Sequence, residues 1–260
     1  YPSTTGLSRI GYRLVDSITD PPGAERGAVE KLVRVDPSFL CYVPPELAPA
    51  IGGAPTSQGH GRWHVTFGSF NSAPKINRGV VEAWARILKR VPGSGLLLKA
   101  LEFQDGPMRE EMLERFEAQG VERGRVEIVA QTASFAEHLG LYAGVDVGLD
   151  PFPYKGTTTT FEALWMGVPV VTLTGAQHAG RVGTSVLRNA GLEELIAGSV
   201  DEYVERAAEL AGDAARRAGL RASLRERVRG AVLCDGAGYG TRVSAAIVGM
   251  WQEWCAGAAR

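Results

Sequence analysis

Lysine is scarce in this chain. Lys31, Lys75, Lys89, Lys99 and Lys155 are its only lysines in 260 residues, although Lys and Arg together number 28. With 29 acids the formal net charge is −1, which argues against the basic field that polyanion binders carry and excludes nucleic acid as a first choice of partner. Cysteine is scarcer still. Cys41, Cys234 and Cys255 stand far apart in no metal-ligand spacing, an odd set that fits a reducing compartment better than a disulfide scaffold. No apolar run reaches the ~18 residues of a membrane span. The opening Tyr1-Pro-Ser-Thr-Thr-Gly6 lacks the basic-then-apolar pattern of a secretory leader and reads as cut from a longer chain. The expectation is a cytoplasmic globular protein with no membrane partner, in keeping with 45% hydrophobic and 22% charged residues.

What is present is a rhythm. From Trp63 onward, short apolar runs alternate with amphipathic segments. His64–Phe70, Gly95–Lys99, Arg125–Ala130, Val145–Asp150, Val168–Leu173 and Leu195–Ile196 read as strands. Asn77–Arg90, Met108–Gln119, a segment capped by Ser134, Thr158–Met166, Arg181–Ala190, Val200–Gly212, Ala215–Arg229 and Tyr239–Ala256 read as helices. Such alternation predicts an α/β fold, a doubly wound parallel sheet with right-handed crossovers, binding ligands at the carboxyl ends of its strands. Residues 1–62 differ: Pro-Pro pairs, a Gly-rich stretch at 52–61, and only Gly11–Ile18 and Phe39–Val43 strand-like. They read as a partial lobe plus linker, with 63–235 the main lobe and 236–260 a closing helix.

The chemistry concentrates after the strand ending at Leu149. There follow Tyr154-Lys-Gly156, then Thr157, Thr158, Thr159 and Thr160, and a helix opening on Phe161-Glu-Ala-Leu-Trp-Met166. A glycine, hydroxyls and free N–H groups at a helix N-terminus suit a diphosphate. One Thr could simply cap the helix, but four β-branched residues there cost helix stability and point to a ligand. Glu162, expected in the first turn, could accept both ribose hydroxyls or could merely compensate the helix dipole. Lys75, between strand-loop Phe67-Gly-Ser-Phe-Asn71 and the next helix, could neutralise a leaving diphosphate or be a solvated loop lysine. Asp146 and Asp150 read as strand-terminating residues rather than a chelating pair, so no metal site is expected.

The Glu-Ala-Leu-x-x-Gly helix followed by Val168-Pro-Val-Val171 resembles the donor-site signature of two-lobed GT-B glycosyltransferases. Longer strings sharpen the resemblance to glycosyltransferase family 41, the O-GlcNAc transferases and SPINDLY-type protein O-fucosyltransferases. These are Phe67–Ile76, Trp84–Ser94, Leu149–Thr160, Trp165–Thr172 and His178–Gly183, with Tyr1–Leu7 and Tyr12–Asp16. The resemblance implies a GT-B-type C-lobe with a partial N-lobe segment. It also implies an inverting, metal-independent enzyme that transfers a sugar from a nucleotide-sugar donor to Ser or Thr of an acceptor protein, with tetratricopeptide repeats upstream. It would place Lys75 on the diphosphate, Thr158 and Thr159 on phosphate oxygens, Glu162 on the ribose and His138 against the base. No ~34-residue helical repeat occurs here.

The chain departs from the O-GlcNAc branch at the donor. Phe135 stands where that branch has lysine, and Thr157–Thr160 replace His-Thr-Thr-Gly. These features and His178 lean toward GDP-fucose over UDP-GlcNAc. His60 and His64 read as incidental. Two other readings of the same site are a non-catalytic nucleotide-sugar binding module and a sugar-nucleotide epimerase of the same fold. The aromatic stripe Tyr239, Val243, Ile247, Trp251 and Trp254 is expected to be core.

Overall fold

The computed structural model describes residues 3–52 and 63–258. Most of the expected linker, with His60, lies outside the described residues.

The six expected strands form one parallel sheet. They are β3 (Thr66–Ser69), β4 (Gly95–Lys99), β5 (Val126–Val129), β6 (Val147–Leu149), β7 (Val170–Leu173) and β8 (Ile196–Ala197), ordered β5-β4-β3-β6-β7-β8. Their pairings are all parallel. In chain order this is 3-2-1-4-5-6, the doubly wound arrangement whose direction reverses between its first and fourth strands. That reversal lies between β3 and β6, so the ligand crevice is expected at their carboxyl ends.

Helices cover both faces. On one, α1 (Arg78–Arg90) packs against α2 (Gly106–Ala118) and α6 (Val200–Gly212). Elsewhere α4 (Thr158–Trp165) packs against α5 (His178–Asn189) and α7 (Ala214–Gly230). Covered on both sides, β3 and β6 are buried at every residue, as parallel strands require. Trp84 and Tyr203 are fully buried between α1 and α6. The indole Nε1 donates to Tyr203 Oη at 3.0 Å, and that hydroxyl donates to the Asp150 carbonyl at 3.1 Å, so no polar atom of this aromatic pair is left unpaired.

The helix caps follow the sequence. Asn77, Asp105, Ser134 and Ser199 each accept an N–H of the first turn. The Ser134-capped helix, α3 (Phe135–Gly140), gives way to a 3-10 turn at Leu141–Gly144.

Three expectations for the flanking segments need correction. Phe39–Val43 is not a strand: Tyr42 N–H donates to Leu233 O, and its ring stacks on Phe161 at 4.6 Å. The partner of β1 (Tyr12–Val15) is instead β2 (Lys31–Arg34), paired in parallel. Its Lys-Leu-Val-Arg sequence holds too few apolar residues to show a strand period. The aromatic stripe of α8 (Gly236–Ala258) is not core either, for Ile247, Trp251 and Trp254 are each more than half exposed. This helix reaches β1 and β2 through Glu253, which receives hydrogen bonds from Tyr12 and Lys31.

A polar seam fixes the N-terminal segment to α5. His178, Arg181, Ser185 and Asn189 lie on one helical face. They bond respectively to Asp20, the Ile18 carbonyl, Asp16 and the Pro37 carbonyl.

Candidate functional site

The crevice at the carboxyl ends of β3 and β6 holds the threonine run. Helix α4 begins at Thr158, with Thr157 as its flanking residue. Thr158 is exposed, Thr157 and Thr159 are half-buried, and Thr160 is buried. The first three therefore reach the opening, while Thr160 faces inward beside Gly68, Asn71 and Gly148. Gly156 precedes them for a steric reason. A Cβ there would lie 2.6 Å from Thr159 Oγ1, 2.9 Å from Thr160 Oγ1 and 3.0 Å from Asn71 Oδ1.

Lys75 arrives from the 3-10 turn Ala73–Lys75 that follows β3. Its Nζ donates to the Lys155 carbonyl at 2.9 Å and to Asn71 Oδ1 at 3.4 Å, and lies 4.4 Å from the Tyr154 ring centre. Asn71 Oδ1 also accepts from Thr159 Oγ1 at 3.2 Å. The expected phosphate residues of two distant segments thus meet on one amide. Burial lowers the Lys75 ammonium below its ordinary value, opposed by the Asp150 charge.

Glu162 lies one turn deeper than expected, as the fifth residue of α4 rather than in its first turn. It is buried, and its Oε2 lies 2.9 Å from His138 Nε2. The imidazole stacks on the exposed Phe135 ring at 5.7 Å, tilts against Phe70 and meets Tyr142 edge-on. His138 Nδ1 is buried without a hydrogen-bond partner among the described residues. Phe135, His138 and Glu162 therefore form one group beside the expected phosphate residues. His178 is placed differently. At the start of α5, its Nδ1 is 2.5 Å from Asp20 Oδ2 and its ring lies edge-on to Phe39. It joins the site only through its neighbour, for Lys155 N–H donates to the Ala179 carbonyl.

Four residues here were given no site role from sequence. Asn71 is one, signalled only by its place at a strand's carboxyl end. Asp150 is fully buried; its Oδ1 accepts the Gly156 N–H at 2.8 Å and its Oδ2 the Thr172 hydroxyl at 2.6 Å. Lys155 is buried with its Nζ 4.0 Å from Asp150 Oδ2. Lys99 ends β4, and burial lowers its ammonium, opposed by the Glu162 charge. Lys75, Lys99 and Lys155, out of five lysines, thus stand at or beyond the carboxyl ends of β3, β4 and β6. In a chain that otherwise uses arginine, this concentrates compact cations at the switch point.

Among the described residues, no group of three or more His, Cys, Asp or Glu side chains could hold a metal ion. No helix among them is long and apolar enough to cross a membrane.

This architecture is a GT-B-type α/β fold with its crevice at the strand-order reversal. The chain belongs to glycosyltransferase family 41, whose profile its residues 59–243 match. It is 45% identical over 99% of its length to a probable UDP-N-acetylglucosamine–peptide N-acetylglucosaminyltransferase SPINDLY of Solanum lycopersicum. It is 34% identical over 81% of its length to the probable enzyme SEC of Arabidopsis thaliana. A mutant O-GlcNAc transferase of Thermobaculum terrenum superposes with a TM-score of 0.90 at 35% identity, covering 99% of this chain and 48% of that one. The chain spans 27% of the tomato relative and 22% of SEC.

Proposed function

We propose that this chain is the donor-binding part of an inverting protein O-glycosyltransferase. The observation that carries the reading is the convergence of Lys75 and Thr159 on Asn71 at the N-terminus of α4. A helix N-terminus with a fixed ammonium beside it is complementary to a diphosphate, and most so when that group departs with an extra negative charge. Thr157, Thr158 and Thr159 offer hydroxyls and N–H groups to the phosphate oxygens, and Thr160 supports the turn from inside. Glu162 takes the ribose and His138, with Phe135, flanks the base. His178 sets the edge of the sugar site through α5.

In the step itself, a Ser or Thr oxygen of the acceptor protein bonds to the anomeric carbon and releases its proton to water. The bond from that carbon to the β-phosphate oxygen breaks, and its electron pair leaves on the nucleoside diphosphate. Attack opposite the leaving group inverts the anomeric centre. The lysine ammoniums and the helix N-terminus supply the positive charge that a divalent cation would otherwise bring, so no metal or other cofactor enters this proposal. The relatives' names favour UDP-GlcNAc, whereas Phe135 and the threonine run favour GDP-fucose. Residues 1–62 are part of the first lobe and a linker, 63–235 are the donor lobe and 236–260 close the unit. Tetratricopeptide repeats upstream would present the acceptor, in a protein working in the cytoplasm.

Titration calorimetry with UDP-GlcNAc and GDP-fucose, with and without EDTA, tests the reading. One donor should bind without metal, and Lys75→Ala should weaken it by about tenfold or more, as losing a charge-assisted bond implies. Equal affinity in Lys75→Ala would remove that residue from the site, and absence of binding by either donor would refute the proposal. A changed free sugar nucleotide, without labelled protein, would favour epimerisation.

A further inference from the structure

The Lys155 side chain is fully buried, and its Nζ has no hydrogen-bond partner among the described residues. The nearest acid is Asp150, with Oδ2 at 4.0 Å, and the Phe152 ring centre lies at 5.5 Å. A buried ammonium carries a large desolvation cost, which a single carboxylate at that distance offsets only in part. Packing alone would be served better by an apolar side chain. We propose that Lys155 is a positioning residue of the donor-phosphate site, its ammonium holding the Asp150 carboxylate in the charged form that clamps the Lys155–Gly156 peptide and thereby places Lys75.

The geometry runs through one peptide plane. Asp150 Oδ1 accepts the Gly156 N–H, and the carbonyl of that same peptide, Lys155 O, accepts Lys75 Nζ. In a trans peptide the N–H and C=O point in opposite directions. Fixing the N–H inward on Asp150 therefore aims the carbonyl outward at Lys75. Asp150 can do this best as a carboxylate, but burial raises its carboxyl above the ordinary value, and the Lys155 charge is the first influence opposing that rise. Lys155 is itself brought down to about 8 by burial, opposed by Asp150.

The other groups facing the pair are few. Thr172 of β7 donates to Oδ2, Tyr203 of α6 donates to the Asp150 carbonyl, and Lys75 is a weaker second cation. From α5, the Gly183 position approaches Oδ2 and brings no charge. Lys155 is the cation closest to this carboxylate.

The inference rests on the donor-phosphate reading for its consequence but not for its charge coupling, and two measurements separate them. The first is melting temperature from pH 5 to 9 for wild type, Lys155→Met, Asp150→Asn and the double variant. In Lys155→Met the Asp150 carboxyl should protonate at higher pH, so stability should fall relative to wild type as pH rises through that value, and adding Asp150→Asn to Lys155→Met should abolish that slope. The second is UDP and GDP affinity at neutral pH. Lys155→Met should cost about tenfold in the wild-type background and little in Asp150→Asn, as coupled residues do. A Lys155→Met melting profile parallel to wild type below the Lys155 value of about 8, or a slope there that survives in the double variant, overturns the inference whatever binds. So does an equal loss of affinity in both backgrounds. If wild type binds neither nucleotide, the donor reading falls, and with it the consequence for Lys75.

Discussion

His138 Nε2 lies 2.9 Å from Glu162 Oε2, joining the residue assigned to the base with the residue assigned to the ribose. Each constrains the other, since the imidazole is stacked on Phe135 and the carboxylate is set one turn into α4. Nucleoside and phosphate recognition should therefore separate cleanly. Glu162→Gln should weaken UDP or GDP by about tenfold, the order of one lost charged hydrogen bond, and leave inorganic pyrophosphate unaffected. Competition binding with the two probes measures this. Equal loss for both would mean that Glu162 only supports the helix.

Asn71 gives a second separation. Its side-chain oxygen receives both Lys75 and Thr159, so removing it releases at once two residues proposed to hold phosphate. Asn71→Ala should reduce pyrophosphate affinity by about 1–2 kcal/mol. Combined with Lys75→Ala the losses should be less than additive, because the second change removes a group already displaced. Full additivity in calorimetry would show that Asn71 does not position Lys75.

The strand–helix alternation was legible because buried runs such as Leu96–Leu98 and Val170–Val171 are short and apolar, and parallel pairing follows from the helix that intervenes between successive strands. The threonine run and Lys75 were legible because they bear their chemistry on their surface. Asn71 and Asp150 were not, since one amide or one acid after a strand looks like any loop residue until chain distant in sequence folds onto it. Lys155 was visible as a letter but not as a buried charge. The Lys31–Arg34 strand escaped because its pairing with Tyr12–Val15 is set by tertiary contact rather than by its own pattern.

The link between Asp20 and His178 makes stability depend on acid. Burial by itself would raise the Asp20 carboxyl, but the hydrogen bond to His178, with the charges of His178 and Arg13, brings it below its ordinary value. A carboxyl lowered on folding stabilises the protein above the unfolded value of about 4, and that contribution is lost as pH falls through the folded value. Asp20→Asn should therefore lower stability at pH 7 by about 1–3 kcal/mol, the order for leaving the partners of a buried hydrogen-bonded group unpaired. The deficit should shrink below pH ~4. Thermal melts across pH measure it, and a constant deficit would mean that the contact works without charge.

Two glycines separate binding from folding. Gly167 turns the chain from α4 toward β7 with φ at +78°, and a Cβ there would lie 2.8 Å from the Arg221 carbonyl. Gly167→Ala should cost stability, about 1–3 kcal/mol for strain and crowding together, with diphosphate affinity kept in the folded fraction. Gly156 is not in the left-handed region; its constraint is space. An added methyl would press on Thr159, on Asn71, which accepts from Lys75, and on buried Thr160, which has no room to retreat. Gly156→Ala should therefore lower pyrophosphate affinity by about tenfold or more, because a displacement near 1 Å is enough to misplace a charged ligand group. Calorimetry and melting on both variants provide the test. If Gly156→Ala binds normally, the cradle is looser than its contacts imply, and Thr159 is not the residue that orders the phosphate.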